Sequence, residues 1–174
     1  MDKTNNHIEF TIRRIEPSDA EAMQKIFTGP NAIRGTLQLP FPSVEFWRKR
    51  LSDPMDGSFQ LLAWIENEAV GQLGLFTFPN HPRRRHVGQI GMAIRDDWQG
   101  KGAGTALMQA AIDLADKWLN LSRLELEVFT DNEPAIHLYK KFDFIVEGTH
   151  RQFAYRDGQF VDVYAMARLR KTPF

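Results

Sequence analysis

The chain has 174 residues, of which 43% are hydrophobic and 25% charged, with 22 basic and 22 acidic side chains and no cysteine. This length and composition are typical of one globular domain, so we expect a single domain over residues 1–174. The balanced charge argues against binding to nucleic acid or to a membrane surface, and the lack of cysteine excludes disulfides and thiol nucleophiles. With no stretch apolar enough to span a membrane, we expect a soluble protein in the reducing cytoplasm.

The first third of the chain predicts a strand, a helix and a long loop. Residues 8–15 alternate between apolar and polar side chains, as a half-buried strand does. Ser18 and Glu21 have the spacing of a capping box, which predicts a helix that runs through Phe27. Residues 28–42 are rich in glycine and proline and predict an ordered loop.

A short helix and three strands follow in the central part of the chain. Ser43 is a suitable N-cap for a helix over 44–51. Residues 59–65 and 70–78 flank a short polar turn and predict a β-hairpin. Another connection leads to 87–94, which also reads as a strand.

The remainder of the chain predicts two helices between strands. The longest helix is expected over 105–119, followed by a strict alternation over 123–129, a second helix over 133–142, and a closing hairpin of 144–155 and 159–169. Five residues of the longest helix recur at helical spacing and are expected on its buried face: Leu107, Ala111, Leu114, Ala115 and Trp118. Strand–helix pairs in the middle and hairpins at both ends predict a mixed α/β fold, with helices on the faces of a mixed sheet.

A glycine cluster, WQGKGAG (98–104), lies between the strand at 87–94 and the longest helix. Unpaired N–H groups at a helix N-terminus attract anions, and glycine lets phosphate oxygens approach the backbone closely. A glycine-rich turn that permits close strand–helix packing explains the cluster equally well. The spacing fits neither a Walker loop nor GxGxxG, although Glu125 lies where a ribose-binding acid would fall, so a dinucleotide site stays a distant alternative.

Two motifs carry a resemblance to a known family. Residues 99–104, QGKGAG, resemble the Q/R-x-x-G-x-G/A signature of the GNAT-type N-acetyltransferase superfamily. Residues 126–144, LEVFTDNEPAIHLYKKFDF, resemble its LEV…N-x-x-A-x-x-LY-x-x-x-GF block, except that Asp143 replaces a glycine. Asp is among the few side chains that tolerate the left-handed conformation expected there. The element order matches over nearly the whole chain, and within the family the chain looks most like bacterial enzymes that acetylate free amino acids.

The resemblance implies a GNAT fold, with a central, mostly antiparallel mixed sheet flanked by helices, and acetyl-CoA as co-substrate without a metal. The expected acetyl-CoA-binding residues are Met92, Ala93, Ile94, Gln99, Gly100, Lys101, Gly102, Ala103, Gly104, Asn132, Ala135 and Tyr139. Read without the resemblance, Asn132 is a helix N-cap, and both roles are compatible. Gly88 and Gly91 indicate a bulge or a close backbone approach in the strand at 87–94, where the family has a bulge with an oxyanion-binding N–H.

Tyr139 and Glu127 are the expected catalytic residues. Tyr139 matches the tyrosine that protonates the departing thiolate, whereas the sequence alone favours an aromatic side chain packed in the core. Glu127 matches a position that some members use as general base. Because Glu125 and Glu127 share one face of a predicted central strand, that face either lines a wet cleft or is exposed.

The acceptor amine is expected at the loop containing Thr36 and Gln38, with Glu127 nearby. This loop contains Arg34 and no carboxylate, which favours an acceptor that carries its own carboxylate or is neutral. The run Arg83–Arg85 is expected at a solvated tip or subunit contact, with binding of a carboxylate as a lesser alternative. The histidines show no metal-ligand spacing.

These observations predict an enzyme that acetylates a primary amine of a small molecule by direct attack in a ternary complex, since no covalent nucleophile is evident. The favoured acceptor is the α-amine of a free amino acid. Acetylation of a protein N-terminus or lysine, of a polyamine or of an antibiotic, and a non-catalytic acyl-CoA-binding module remain as alternatives. Many family members are dimers, so a homodimer is one expectation.

Overall fold

The computed structural model describes residues 8–171, and these form one seven-stranded sheet in the order β1-β2-β3-β4-β5-β7-β6. The strands are β1 (Thr11–Arg14), β2 (Ser58–Ile65), β3 (Glu68–Thr77), β4 (Val87–Ile94), β5 (Arg123–Phe129), β6 (Ile145–Arg156) and β7 (Gln159–Leu169). Every neighbouring pair is antiparallel except β4 and β5, which are parallel. The predicted mixed, mostly antiparallel sheet is confirmed.

The described residues form five α-helices: α1 (Ala20–Ile26), α2 (Pro30–Arg34), α3 (Val44–Ser52), α4 (Ala103–Lys117) and α5 (Glu133–Lys141). The larger core cluster lies between α4, α5 and the sheet and includes Leu107, Leu124 and Phe144. A second cluster lies beneath α1 and α3, where Phe27 stacks on Trp47 at 4.8 Å between ring centroids. None of the described helices is long and apolar enough to cross a bilayer.

The parallel strands β4 and β5 separate after a short paired stretch. They pair only from Val87 with Arg123 to Gln89 with Glu125. Against β3, by contrast, β4 keeps an unbroken register from Gly88 to Ile94, so of the two alternatives predicted from its glycines the β3 side shows no bulge. The glycines do serve close approach at one position, since a Cβ on Gly88 would lie 2.8 Å from side chains of β3 and the α4–β5 connection. The separation of β4 from β5 opens the sheet at its centre.

Two predictions about the N-terminal helices are corrected. The loop predicted over 28–42 contains α2, because Pro30 fits the first turn of a helix and the Asp96 carboxylate accepts the N–H groups of Asn31 and Ala32, each at 2.9 Å. The capping box predicted at Ser18 and Glu21 lies two residues earlier. There Glu16 and Asp19 cap a single 3-10 turn at Pro17–Asp19 ahead of α1.

The limits of α4 also differ from the prediction. Gly102 is the N-cap in a left-handed conformation, so the helix begins at Ala103 rather than at residue 105. The helix ends at Lys117, and Trp118 is therefore 81% exposed instead of lying on the buried face. Leu107, Ala111 and Ala115 are buried as expected. Asp143 has the predicted left-handed conformation, with φ of 64° after the end of α5.

Candidate active site

The opening between β4 and β5 is the floor of a long cleft that runs to the acceptor loop. The sheet contributes Met92 and Glu127, the glycine cluster lies at one end, and α5 forms a wall. Most predicted site residues line this cleft: Thr36, Gln38, Met92, Ala93, Ile94, Gln99, Gly100, Gly102, Gly104, Glu127, Asn132, Ala135 and Tyr139. The fold thus brings residues from five separate segments to one surface.

The N-terminus of α4 is open toward this cleft. Gly100 and Gly102 have φ of 74° and 96°, and no side chain caps the helix. The first N–H groups of a helix have no partner within it, so those of α4 are free to bind an anion. A Cβ on Gly100 would meet no atom within 4 Å, which leaves space beside this backbone. These features fit the pyrophosphate of an acyl-CoA.

The other residues of the cluster have distinct surroundings. Lys101 lies over the Trp98 ring at 4.8 Å from its centroid. Ala103 is 1% exposed, so only its backbone can serve a ligand. A Cβ on Gly104 would lie 3.0 Å from Leu138, which shows that this glycine allows α4 and α5 to pack closely. The sequence left two explanations of the glycine cluster, a phosphate site and a turn that permits close packing. The structure is consistent with the first for Gly100 and Gly102 and with the second for Gly104.

The strand β4 presents unpaired backbone to the cleft. Beyond Gln89 it has no partner on the β5 side, and successive peptide groups of a strand point to alternate sides. Some N–H and C=O groups of Met92–Ile94 are therefore available to a ligand with amide groups. Gln99 Nε2 donates to the Ile94 carbonyl at 3.2 Å, which ties the glycine cluster to the end of this strand.

The two carboxylates on β5 differ in their surroundings. Glu125 pairs with Arg84 and accepts from Arg123 Nε at 3.1 Å, so its charge is already balanced. Glu127 is exposed in the cleft and accepts from Gln89 Nε2 at 3.1 Å. Of the two interpretations of this face, the structure favours the wet cleft for Glu127, whereas Glu125 belongs to an ion-pair network.

Tyr139 lies on the buried side of α5, at the cleft wall. Its side chain is 6% exposed and packs with Phe144 at 6.0 Å between ring centroids. Burial disfavours the phenolate and raises the pKa of Tyr139 to about 12. The hydroxyl is therefore protonated at neutral pH and able to donate a proton. Tyr139 therefore packs in the core, as the sequence alone predicts, and also lines the cleft.

Asn132 and the acceptor loop meet on the far side of the cleft. Asn132 Oδ1 accepts the Ala135 N–H at 3.4 Å, so this side chain caps α5 as the sequence predicts. Its amide nitrogen would lie 3.3 Å from a Cβ on Gly35. Thr36 Oγ1 donates to the Ala32 carbonyl at 2.8 Å and accepts from the Gln38 N–H at 3.3 Å. The Thr36 hydroxyl thus holds the loop, while the Gln38 side chain remains on the cleft surface.

No sequence motif points to three further residues at the site, which are Arg156, Asp131 and Asp96. Arg156, at the end of β6, lines the cleft and pairs with Asp131. Asp96, just before the glycine cluster, caps α2. These residues contact partners far away in the chain, 65 positions for Asp96 and Asn31 and 122 for Arg156 and Arg34. Only the closing hairpin predicted from 144–155 and 159–169, whose turn includes Arg156, could have brought this residue toward the cleft.

The predicted arginine run lies outside this arrangement. Arg83, Arg84 and Arg85 are exposed, and Arg84 stacks over Phe78 at 4.5 Å from the ring centroid. Its pairing with Glu125 gives it a structural partner. Within residues 8–171, no three His, Asp or Glu side chains are grouped to hold a metal ion.

A mixed sheet that opens at its parallel pair, beside an uncapped glycine-led helix, defines an acyltransferase fold that takes a CoA thioester. The family model for acetyltransferase (GNAT) matches residues 21–144, and the chain belongs to that family. The chain is 42% identical to the L-amino acid N-acetyltransferase AaaT of Escherichia coli, with 93% of this chain and 99% of that protein covered.

Two further relatives agree with this assignment. Spermidine N(1)-acetyltransferase of E. coli is 28% identical, covering 89% of this chain and 83% of that protein. The crystal structure of a GNAT-family acetyltransferase from Streptococcus pneumoniae has a TM-score of 0.74 and 31% identity, covering 92% of this chain and 99% of that one. The protein is an acetyl-CoA-dependent N-acetyltransferase, as the motifs predict.

Proposed function

We propose that the protein acetylates the α-amine of a free amino acid. The observation that carries this proposal is the 42% identity to an L-amino acid N-acetyltransferase over nearly the full length of both chains. The acceptor loop supports it, because residues 29–44 contain Arg34 and no carboxylate. Arg34 is paired with Asp157, so this loop is close to neutral and offers no carboxylate to bind the several ammonium groups of a polyamine such as spermidine.

The chain's own residues would hold the co-substrate as follows. The backbone of Gly100–Gly104 and the first turn of α4 would bind the pyrophosphate, with Gln99 and Lys101 beside them. The unpaired peptide groups of Met92–Ile94 would bind the amides of the pantetheine arm, together with Asn132 at the start of α5. Acetyl-CoA supplies a thioester, whose carbonyl carbon the amine attacks and whose C–S bond breaks.

Proton transfer would use residues on opposite sides of the cleft. Glu127, or a water that it orients, would accept the proton that the amine loses as the new C–N bond forms. The Gln89 amide, 3.1 Å away, would keep the Glu127 carboxylate in position. Tyr139 would donate its proton to the thiolate as the C–S bond breaks, and a strand N–H near Met92 would bind the oxyanion.

The first experiment is the release of CoA thiol from acetyl-CoA with a panel of acceptors. The panel contains free amino acids, spermidine, an aminoglycoside and a peptide with a free N-terminus. We expect turnover with free amino acids at a kcat/KM at least ~10-fold above that of the other acceptors, the margin of one well-placed polar contact. Preferred turnover of spermidine or of the peptide would refute the proposal and assign the corresponding alternative.

Two further expectations extend this proposal. A cytoplasmic location follows from a reaction that consumes acetyl-CoA. A homodimer is supported by the apolar side chains that β6 and β7 expose, with Ile145, Tyr155 and Phe160 each more than 60% exposed. Light scattering measures the mass directly, and a mass near 20.1 kDa would show a monomer.

A further inference from the structure

Arg156 is held at the acceptor end of the cleft by three contacts. Its side chain is only 14% exposed and pairs with Asp131. Nη1 donates to the Arg34 carbonyl at 3.0 Å, and the guanidinium lies over the Phe129 ring at 4.7 Å from its centroid. A guanidinium has five N–H donors, so these two hydrogen bonds leave donors free. The result is a fixed, desolvated cation with unused donors on a cleft surface.

Arg156 and Glu127 line the same cleft, and the Arg156 guanidinium lies over Phe129, two residues from Glu127 on β5. Glu127 and Phe129 are two residues apart on β5 and share one face, which places them ~6.6 Å apart along the strand. A free amino acid carries its amine and carboxylate on one carbon atom. The amine nitrogen and the carboxylate oxygens are ~3 Å apart, so with a hydrogen bond of ~2.9 Å at each end an amino acid bridges two partners up to ~9 Å apart. An acceptor whose amine faces Glu127 would therefore present its carboxylate to Arg156.

We propose that Arg156 binds the carboxylate of the acceptor amino acid and determines the specificity for it. This inference rests on the proposed function and names the group that recognises the acceptor. Asp131 is 56% exposed and occupies part of the guanidinium fork. The remaining N–H groups bind the incoming carboxylate, and a planar fork over an aromatic ring suits bidentate recognition of that group.

A purely structural role would give Arg156 the same contacts. Its bond to the Arg34 carbonyl ties the β6–β7 turn to α2, and the Arg34–Asp157 ion pair joins the same two segments. Asp157 does not line the cleft, whereas Arg156 does. Asp157→Asn is therefore a matched control that loosens this connection without removing the cation from the cleft.

The test compares an amino acid with its carboxamide, which keeps the amine and lacks the carboxylate. The ratio of their kcat/KM values is measured in wild type, Arg156→Gln, Arg156→Lys and Asp157→Asn. We expect Arg156→Gln to lower kcat/KM for the amino acid by ~10–100-fold, the effect of losing a charged hydrogen bond, and to leave the carboxamide unaffected. Arg156→Lys retains the charge without the fork and should give an intermediate ratio. Asp157→Asn should keep the wild-type ratio.

The outcomes separate this inference from the proposed function. If wild type prefers amino acids but Arg156→Gln lowers both substrates equally, Arg156 is structural and only the inference falls. The same holds if Asp157→Asn shifts the ratio as far as Arg156→Gln does. If wild type turns over neither substrate but acetylates spermidine, the proposed function fails and the inference fails with it. Arg156→Lys keeps the test valid if the glutamine variant does not fold.

Discussion

Helices α4 and α5 both begin at the cleft, yet their N-termini are built differently. In the described structure, the longest helix, α4, has Gly102 as its N-cap and no side-chain cap. The nine-residue α5 starts at Asn132, whose side chain accepts the Ala135 N–H. A helix that satisfies its own first turn has little need of a ligand, whereas an open first turn can bind one.

The two helices therefore offer different groups to a ligand. The first turn of α4 offers backbone N–H groups, which suit the phosphate oxygens of a CoA ester. The contribution of α5 is made by side chains, Asn132 at its start and Tyr139 nearly two turns later. Substitutions at the start of α4 should therefore affect binding of the acetyl-CoA pyrophosphate. On α5, substitution of Asn132 should affect binding of the pantetheine arm, and substitution of Tyr139 should affect the chemical step.

The largest expected effect is that of Tyr139→Phe on α5. Loss of the acid should lower kcat by ~10²–10⁴-fold, the usual contribution of a positioned proton donor, with acetyl-CoA affinity unchanged. Steady-state kinetics and calorimetric titration measure the two quantities. Tyr155→Phe is the matched control, because Tyr155 is 66% exposed on β6. An equal kcat in wild type and Tyr139→Phe would make Tyr139 a core residue only.

The alkaline stability of the protein tests the burial of the same hydroxyl. The pKa of Tyr139 is raised by burial from 10.0 to about 12, so the unfolded chain loses this proton first as the pH rises. Stability from this group is complete below pH ~10 and is lost as the pH rises toward 12, by roughly 3 kcal/mol in all. Urea unfolding of wild type and Tyr139→Phe should be measured across this pH range. As the pH rises, wild type should lose free energy of unfolding relative to the variant, which has no phenol to ionise. A constant difference would contradict the buried position.

Two glycines with similar left-handed backbone conformations test the role of the glycine cluster that precedes α4. Gly100 and Gly158 have φ of 74° and 83°, and a Cβ on either would meet no atom within 4 Å. Alanine at each should therefore destabilise the fold by a similar amount, about 1 kcal/mol. Only Gly100→Ala should weaken acetyl-CoA binding, by ~10-fold, since its methyl group enters the cleft. Equal affinities in the two variants would mean that the pyrophosphate binds elsewhere.

The smallest effect concerns the caps of α5 and α3. Asn132→Ala and Ser43→Ala each remove a side chain that accepts a backbone N–H at a helix start. Each should lower the free energy of unfolding by about 1 kcal/mol. We expect only Asn132→Ala to raise the KM for acetyl-CoA, by a few-fold. A KM that rises equally in both variants would show an effect of stability alone.

The sequence predicted those features that depend on local patterns. Alternation gave the strands, helical spacing gave α4 and α5, and the left-handed Asp143 followed from the tolerance of its side chain. The features that it missed depend on distant partners. Helix α2 needs Asp96, and the surroundings of Arg156 combine residues from three segments. The burial predicted for Trp118 failed for another reason. Helical spacing predicts a buried face only within a helix, and α4 ends at Lys117, one residue before Trp118.

The bond between Asp96 and α2 has a kinetic consequence. Asp96 precedes the glycine cluster and holds the segment that leads into the acceptor loop, and Gly29 leaves no room for a side chain between them, since a Cβ would lie 2.4 Å from the carboxylate. A substrate that orders one loop therefore restrains the other. We expect the two substrates to bind cooperatively, each tightening the other by the same factor. Initial rates measured over a grid of both concentrations will show this as an apparent KM for either substrate that falls as the other is raised.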